Sequence, residues 1–330
     1  MTYKIKNKIL LLILTLIIFT TSLSKTEKPI LKFNSNGTFK IIQITDIHWR
    51  QSLPNKEGAT QVIGELLDAE KPDLVMLTGD IVSSEQTPKD WEEVLKPIID
   101  RKIPWSFTSG NHDSEYNMST KEIIAMLEKM PYSLVEKGPK NIAGFGNSVL
   151  KVEASKDNSV ASVLYLLDSH SKPQIEGIGN YGWIEESQIK WYKKQSKNFT
   201  KKNNNKPLPA LAFFHIPLPE YNEVVKDPKT VGSFGEPVCA PAYNTGMFQA
   251  MKESKDVMGM FVGHDHNNDY IGVLDGIALA YGRISGFDDV RALQRGARVI
   301  EMIEGEREFD TWIRTASGNT IDRVNYPTSF

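Results

Sequence analysis

Five short apolar runs in this chain each break off at a histidine, an aspartate or an asparagine. Phe39–Thr45 stops at Asp46-Ile47-His48, Leu74–Leu77 at Gly79-Asp80, and Pro104–Ser109 at Gly110-Asn111-His112-Asp113. Leu211–Phe214 stops at His215, and Val257–Val262 stops at Gly263-His264-Asp265-His266-Asn267. Runs of this length, rich in β-branched and aromatic residues and bounded by turn formers, are strands. Amide, imidazole and carboxylate groups at a strand's end make a poor core and a good site.

The spacing between the first three runs is helical. Val62, Ile63, Leu66 and Leu67 lie on one face of a helix over 59–69. Thr87-Pro88-Lys89-Asp90 reads as an N-cap with proline in the first turn, opening a helix that carries Trp91, Val94, Leu95, Ile98 and Ile99. Pro97 is expected to kink or interrupt it. Ser119-Thr120-Lys121-Glu122 reads as a capping box ahead of Ile123, Ile124, Leu127 and Met130. The order β-α-β-α-β-α predicts parallel strands joined by right-handed crossovers, with ligands beyond the strands' carboxyl ends. All three polar motifs sit at such ends.

The second half reads as strands at 149–152, 160–167, 211–214 and 257–262, a helix over 184–192 and a polar loop at 201–206. Short alternating runs at 269–274, 277–281, 298–303 and 308–313 predict a mostly antiparallel second sheet. Residues 218–245 hold prolines and glycines with little periodicity. A loop that long in a compact domain is usually functional or disordered.

Ahead of all this, Lys4, Lys6 and Lys8 precede an apolar run from Ile9 to Phe19, and Ser22-Leu23-Ser24 follows. A basic segment, an apolar segment and a small-x-small site are the layout of a secretory signal peptide, here residues 1–24. The run is shorter than the ~20 residues of a spanning helix. The expectation is a cleaved leader and a secreted or periplasmic protein with no stable membrane span. An uncleaved N-terminal anchor is the alternative. Cleavage would remove three lysines and no acid, taking the formal charge from −2 to −5. No basic stripe marks a nucleic-acid partner. The single cysteine, Cys239, can form no internal disulfide and is expected to be a small buried residue. Residues 30–320 read as one domain without internal repeats. Oligomeric state is not encoded in any pattern here.

Of the six histidines, five follow a predicted strand within a few residues. Histidine with aspartate and without cysteine offers N/O ligands, which suit borderline or harder cations rather than a thiolate site. Asp80 follows a glycine, so the backbone is free to turn and expose both carboxylate oxygens to two cations. A single polar residue at a strand end is usually only a cap. The set in order is what points to metal.

Asp46-x-His48, Gly79-Asp80, Gly110-Asn111-His112-Asp113, His215 and Gly263-His264-x-His266 together resemble the five signature blocks of the calcineurin-like metallophosphoesterase superfamily. The resemblance runs from about Phe39 to Arg314. Phe214–Tyr221 and Gly282-Arg283-Ile284-Ser285-Gly286 are most similar to the branch related to purple acid phosphatases, in its members without the purple colour. The resemblance implies an α/β fold of two mixed β-sheets packed face to face and flanked by helices. It implies one metal held by Asp46, His48, Asp80 and His266, and a second by Asp80, Asn111, His215 and His264, with Asp80 bridging. The metals would be two divalent or mixed-valence transition ions: Mn, Fe or Zn. His112 would face the substrate as the catalytic histidine, oriented by Asp113. Ser83 stands where the purple enzymes carry a tyrosine ligand, and His48 where they have glycine, so no tyrosinate-to-iron colour is expected.

The implied activity is hydrolysis of a phosphate ester, with a metal-bound hydroxide as nucleophile and His112 protonating the leaving group, a role worth ~10²–10⁴-fold. A phosphomonoesterase is the first reading and a phosphodiesterase with the same site is the alternative. The substrate would be a small phosphate ester or a phosphorylated macromolecule. A non-catalytic metal-binding module is the third reading, against which stands the completeness of the set. Asp113 is equally suited to forming a turn. His170, after Leu167-Asp168-Ser169, matches none of the blocks and reads as a pocket or surface histidine. Tyr243 and Asn244 are candidates for substrate contact by loop position alone. Specificity is expected in loops 49–58, 114–118, 169–182 and 218–245.

Overall fold

The computed structural model describes residues 28–53, 55–84, 88–287 and 293–330. The expected leader, 1–24, and the expected cap Thr87 lie outside the described residues. The chain runs β1 (Leu31–Lys32), β2 (Thr38–Ile44), α1 (Lys56–Glu70), β3 (Leu74–Thr78), α2 (Pro88–Asp100), β4 (Trp105–Thr108), α3 (Thr120–Leu127), β5 (Ser148–Glu153), β6 (Val160–Leu166), α4 (Glu186–Lys202), β7 (Ala210–Phe213), α5 (Tyr221–Val224), α6 (Met247–Ser254), β8 (Val257–Val262), β9 (Ile271–Leu274), β10 (Ile277–Tyr281), β11 (Gly296–Ile303), β12 (Phe309–Thr315) and β13 (Thr320–Tyr326).

These strands form two mixed sheets, ordered β1-β5-β6-β7-β8-β10-β9 and β13-β12-β11-β2-β3-β4. Side chains alternate across each strand with period two, and here both faces are covered. On β2, Ile42 and Ile44 face the core shared with α1 and α2, while Phe39 and Ile41 face the other sheet. On β6, Val163 and Tyr165 face the core under α4 and α6, and Leu164 and Leu166 face inward. The result is four layers: helices, sheet, sheet, helices. Because both faces of the central strands are apolar, they read in sequence as unbroken hydrophobic runs.

The capping box at Ser119 and Glu122 is formed, with the Ser119 side chain accepting from the Glu122 amide and Glu122 reaching back to the Ser119 amide. Pro97 does not interrupt α2, which continues to Asp100. It sits in the last turn, so the one bond its missing amide removes, to Glu93 O, lies near the helix end. Helix α4 runs to Lys202, ten residues past the expected end, because Phe199 packs on the core under it while its lysines stay in water. The expected antiparallel second sheet does not exist as such. Strands β9 and β10 join the sheet of β8, with β10 parallel to β8, whereas β11, β12 and β13 extend the sheet of β2. Residues 218–245 contain the short α5 and two isolated bridges, Val231 to Ile271 and Phe234 to Asn268, so the loop is tied to the strands below it.

The carboxyl ends of β2, β3, β4, β7 and β8 meet at one rim. Gln43 on β2 fastens the two sheets just beneath it, its side-chain amide donating to Val262 O and to Thr78 Oγ1, both at 2.9 Å. Among the described residues no helix is long and apolar enough to cross a membrane.

Candidate metal centre

Four of the polar residues at this rim adopt left-handed backbone: Asp46 (φ 53°), His48 (φ 49°), Asp80 (φ 54°) and His264 (φ 81°). Such backbone costs about 1–3 kcal/mol per non-glycine residue and persists where surrounding structure enforces it. Here the enforcement is visible. Asp46 and His48 donate their amides to the carbonyls of Gly79 and Asp80, at 3.1 and 2.9 Å, and Gly263 donates to His215 O at 3.1 Å. The strand ends therefore lock one another. Gly110 must lack a side chain, because a Cβ there would overlap the Asp80 carboxylate.

Two groups of ligand-type side chains result. Asp46, His48 and His266 converge in one, and Asp80, His215 and His264 in the other; the ligand atoms of each group lie within 4.8 Å of one another. Asp80 Oδ2 lies 3.1 Å from His215 Nε2 and 3.8 Å from His48 Nε2, so one carboxylate oxygen reaches both groups. Asn111 Oδ1 is 3.2 Å from His215 Nε2 and belongs to the second group. The far side of two of these imidazoles, one in each group, is held. His48 Nδ1 meets Ser83 Oγ at 2.9 Å, and His215 Nδ1 donates to Thr78 O at 2.7 Å. An outer partner of this kind fixes the tautomer and turns the other ring nitrogen inward.

The charges cannot settle alone. Burial penalises the Asp46 and Asp80 carboxylates, yet the surrounding histidines hold both below the usual carboxylate range. Burial opposes a proton on His215, but Asp80 and Asp46 outweigh it and push the ring up to about 10. Burial and the neighbouring His215 drive His264 down to about 3. His264 Nε2 is buried with no hydrogen-bond partner, and the Nε2 atoms of His48 and His266 face each other at 3.1 Å. Inward-facing nitrogen lone pairs beside buried carboxylates are a donor set for N/O-coordinated cations, and the residues present fit two of them.

The structure brings Asp46, His48, Asp80, Asn111, His215, His264 and His266 together, with His112 beside them, its ring 5.3 Å from that of His48. It separates Asp113 from its expected role. The Asp113 carboxylate is fully buried and accepts from four backbone amides: Gly110 at 2.7 Å, Asp80 at 2.9 Å, Ile81 at 2.8 Å and Val82 at 3.2 Å. It pins the Gly79-Asp80 turn to the loop after β4. The partner of His112 is Glu115, whose Oε2 lies 2.6 Å from Nδ1. A carboxylate only accepts, so Nδ1 is the donor in this contact. Sequence reasoning missed Glu115 because an acid three residues after a histidine looks like any loop acid.

The site opens into a cleft of ≈ 620 Å³ whose walls include His112, Glu115, Lys172, Tyr181, Glu236 and Cys239. Tyr181 sets its ring edge-on to His264 at 4.5 Å. Cys239 is on this wall and half-buried, not in the core as expected, because its loop folds over the rim and its amide donates to Asp265 Oδ2. Burial and Asp265 push its thiol up to about 11, so it stays protonated. His170 is not in the cleft: its Nε2 meets Gln188 Oε1 at 3.0 Å beside an adjoining cavity. Tyr243 packs edge-on against Trp183, and Asn244 donates to Glu220.

Residues 39–268 match the family model of the calcineurin-like phosphoesterases. This chain belongs to that family. Among curated proteins it is 31% identical over 328 residues to "Probable inactive purple acid phosphatase 29" of Arabidopsis thaliana, covering 89% of this chain and 84% of that protein. It is 32% identical over 322 residues to "Phosphatase DCR2" of Saccharomyces cerevisiae, covering 86% of this chain and 55% of that one. Among solved structures a dimetal phosphatase from Danio rerio shares the fold, with a TM-score of 0.58 at 13% identity, covering 87% of this chain and 98% of that chain. A purple acid phosphatase from yellow lupin does so with a TM-score of 0.53 at 14% identity, over 90% of this chain and 55% of that chain.

Proposed function

We propose that this chain is an exported phosphomonoesterase with a dinuclear metal centre. Asp46, His48 and His266 would hold one metal, Asn111, His215 and His264 the other, and Asp80 would bridge them. The observation that carries this reading is the Asp80 carboxylate oxygen, within 3.1 Å of His215 Nε2 and 3.8 Å of His48 Nε2. Bound metals would supply Lewis acidity toward the phosphoryl oxygens and an acidified water. The chain's own part is orientation and proton handling. Glu115 keeps the His112 proton on Nδ1, and His112 Nε2 is the position that exchanges a proton with the leaving oxygen. The buried amide grip of Asp113 holds Asp80 and the loop carrying His112 in register.

Similar plant proteins are named "probable inactive", while the yeast relative is named a phosphatase. Activity is supported here by the seven convergent ligand-type side chains and by His112, none of which is missing. Export is supported by the basic-apolar-small layout of residues 1–24.

The test is kcat/KM of the chain loaded in turn with Mn, Zn and Fe, on an aryl phosphate monoester and the matching diester. A monoester preference that His112→Ala reduces at least 100-fold is the expected result. A diester preference moves the activity to phosphodiester hydrolysis at the same site. No turnover with any metal overturns the hydrolase reading.

A further inference from the structure

The metal cleft is lined by three acids besides Asp80: Glu115, which is paired with His112, Glu236 and Asp265. Glu236 and Asp265 line one part of it, with Asp265 accepting from the Tyr281 hydroxyl and the Cys239 amide. Ser171 and Lys172 line another part, and Lys172 is the only lysine or arginine among the described residues of the cleft wall. The same two residues also line an adjoining cavity of ≈ 230 Å³, together with Thr120, Phe145, Asp168 and His170. The cleft therefore continues past Lys172.

The lysine stands on a braced segment. Ser169 Oγ accepts from the amide of Ile216, the residue after His215. Asp168 accepts from the amides of His170 and Phe145, both at 2.8 Å, which occupies its carboxylate oxygens. His170 Nε2 meets Gln188, whose amide nitrogen in turn donates to Asn147 and to Asp168 O. Gly182 closes the loop by donating to Ser171 O, and a Cβ on Gly182 would meet the His170 Cβ at 2.7 Å and Lys172 O at 2.9 Å. His170, unused by the metal site, thus helps hold the lysine's backbone at a fixed distance from His215. A cation on a braced backbone beside a reaction centre is suited to recognition, because only its exposed side chain is left to be ordered when ligand binds.

A phosphoryl group at the metal centre must send its alcohol along the cleft. Toward Glu236 and Asp265 an anionic alcohol meets like charge, and toward Lys172 it meets opposite charge and a cavity whose one acid, Asp168, already accepts from two backbone amides. We propose that the substrate is a phosphomonoester whose alcohol carries a second acidic group, and that Lys172 binds that group where the cleft meets the adjoining cavity. This rests on the phosphoesterase reading and names its substrate class.

The experiment compares phenyl phosphate with its meta-carboxylate derivative, two esters with closely similar leaving groups. Metal-loaded full chain is assayed beside Lys172→Gln and a control, Lys193→Gln, whose lysine lies on α4 paired with Glu253. The parent and the control favour the carboxylated ester by about three- to tenfold in kcat/KM, the worth of a half-exposed ion pair. The preference acts through KM, falls in 0.5 M salt, and drops to about one in Lys172→Gln. If both esters turn over and their ratio is unchanged by Lys172→Gln, the inference is overturned while the hydrolase reading stands. If neither turns over, calorimetric binding of the two esters decides it. Tighter binding of the carboxylated ester, lost in Lys172→Gln, keeps the acidic-group site without hydrolysis, and equal binding removes it.

Discussion

Asp113→Asn separates two roles that one residue type could fill. In the structure Oδ2 of Asp113 accepts from the amides of Gly110 and Asp80, and Oδ1 from those of Ile81 and Val82. Asparagine keeps the shape but turns one oxygen into an NH₂ group. Whichever way it is flipped, two buried amides then face a donor. An unsatisfied buried amide costs about 1–3 kcal/mol, so the pair costs about 2–6 kcal/mol. Burial and the nearby Asp80 raise the Asp113 carboxyl to about 6, so removing its charge recovers part of this. A net loss of about 2–4 kcal/mol remains, which at 2–4 °C per kcal/mol is a Tm lower by roughly 5–15 °C. The assay is thermal unfolding followed by circular dichroism, alongside metal content by mass spectrometry. A Tm within about 1 °C of the parent, together with a large loss of kcat, would refute the reasoning. That outcome would return Asp113 to the role of orienting His112.

Glu115→Gln should lower kcat about three- to tenfold with Tm unchanged and reshape the acid limb of the pH–rate profile, because the amide can present its NH₂ to Nδ1 and release the tautomer. An unaltered profile would make the Glu115 contact a surface pair. Ser83→Ala removes the partner of His48 Nδ1 and should weaken metal binding about 10- to 100-fold, read by competition with a fluorescent chelator. Gly110→Ala forces a methyl into the Asp80 carboxylate, and metal content should fall well below that of the parent even where circular dichroism shows a folded chain.

Much of the first half was legible because its signals are local. Strands β2, β3 and β4 are buried on both faces, so they stand out as apolar runs, and each stops where the chain must turn at the rim. The capping box at Ser119 closed a helix boundary for the same local reason. The placement of β11 was not legible, since its partner is β2, more than two hundred residues earlier, in a register that pairs Ile300 with Ile41. Nothing in 298–303 names that neighbour. Strand β10 is likewise parallel to β8 across the intervening β9, which period-two alternation alone cannot express. At the site, the ligand types could be read from the strand ends, but the partners that aim them could not. Ser83 and the Thr78 carbonyl reach His48 and His215 only through the fold, and the Asp113 carboxylate grips amides of two segments, residues 80–82 and Gly110, that only the fold brings together.

The central claim is that one carboxylate joins two metal positions. The most direct test is anomalous diffraction from crystals of the chain grown with Zn or Mn. The account predicts two peaks per chain, ~3.5–4 Å apart, one contacting Asp46, His48 and His266, the other Asn111, His215 and His264, with Asp80 touching both. A single peak, or two peaks that share no ligand, would contradict it.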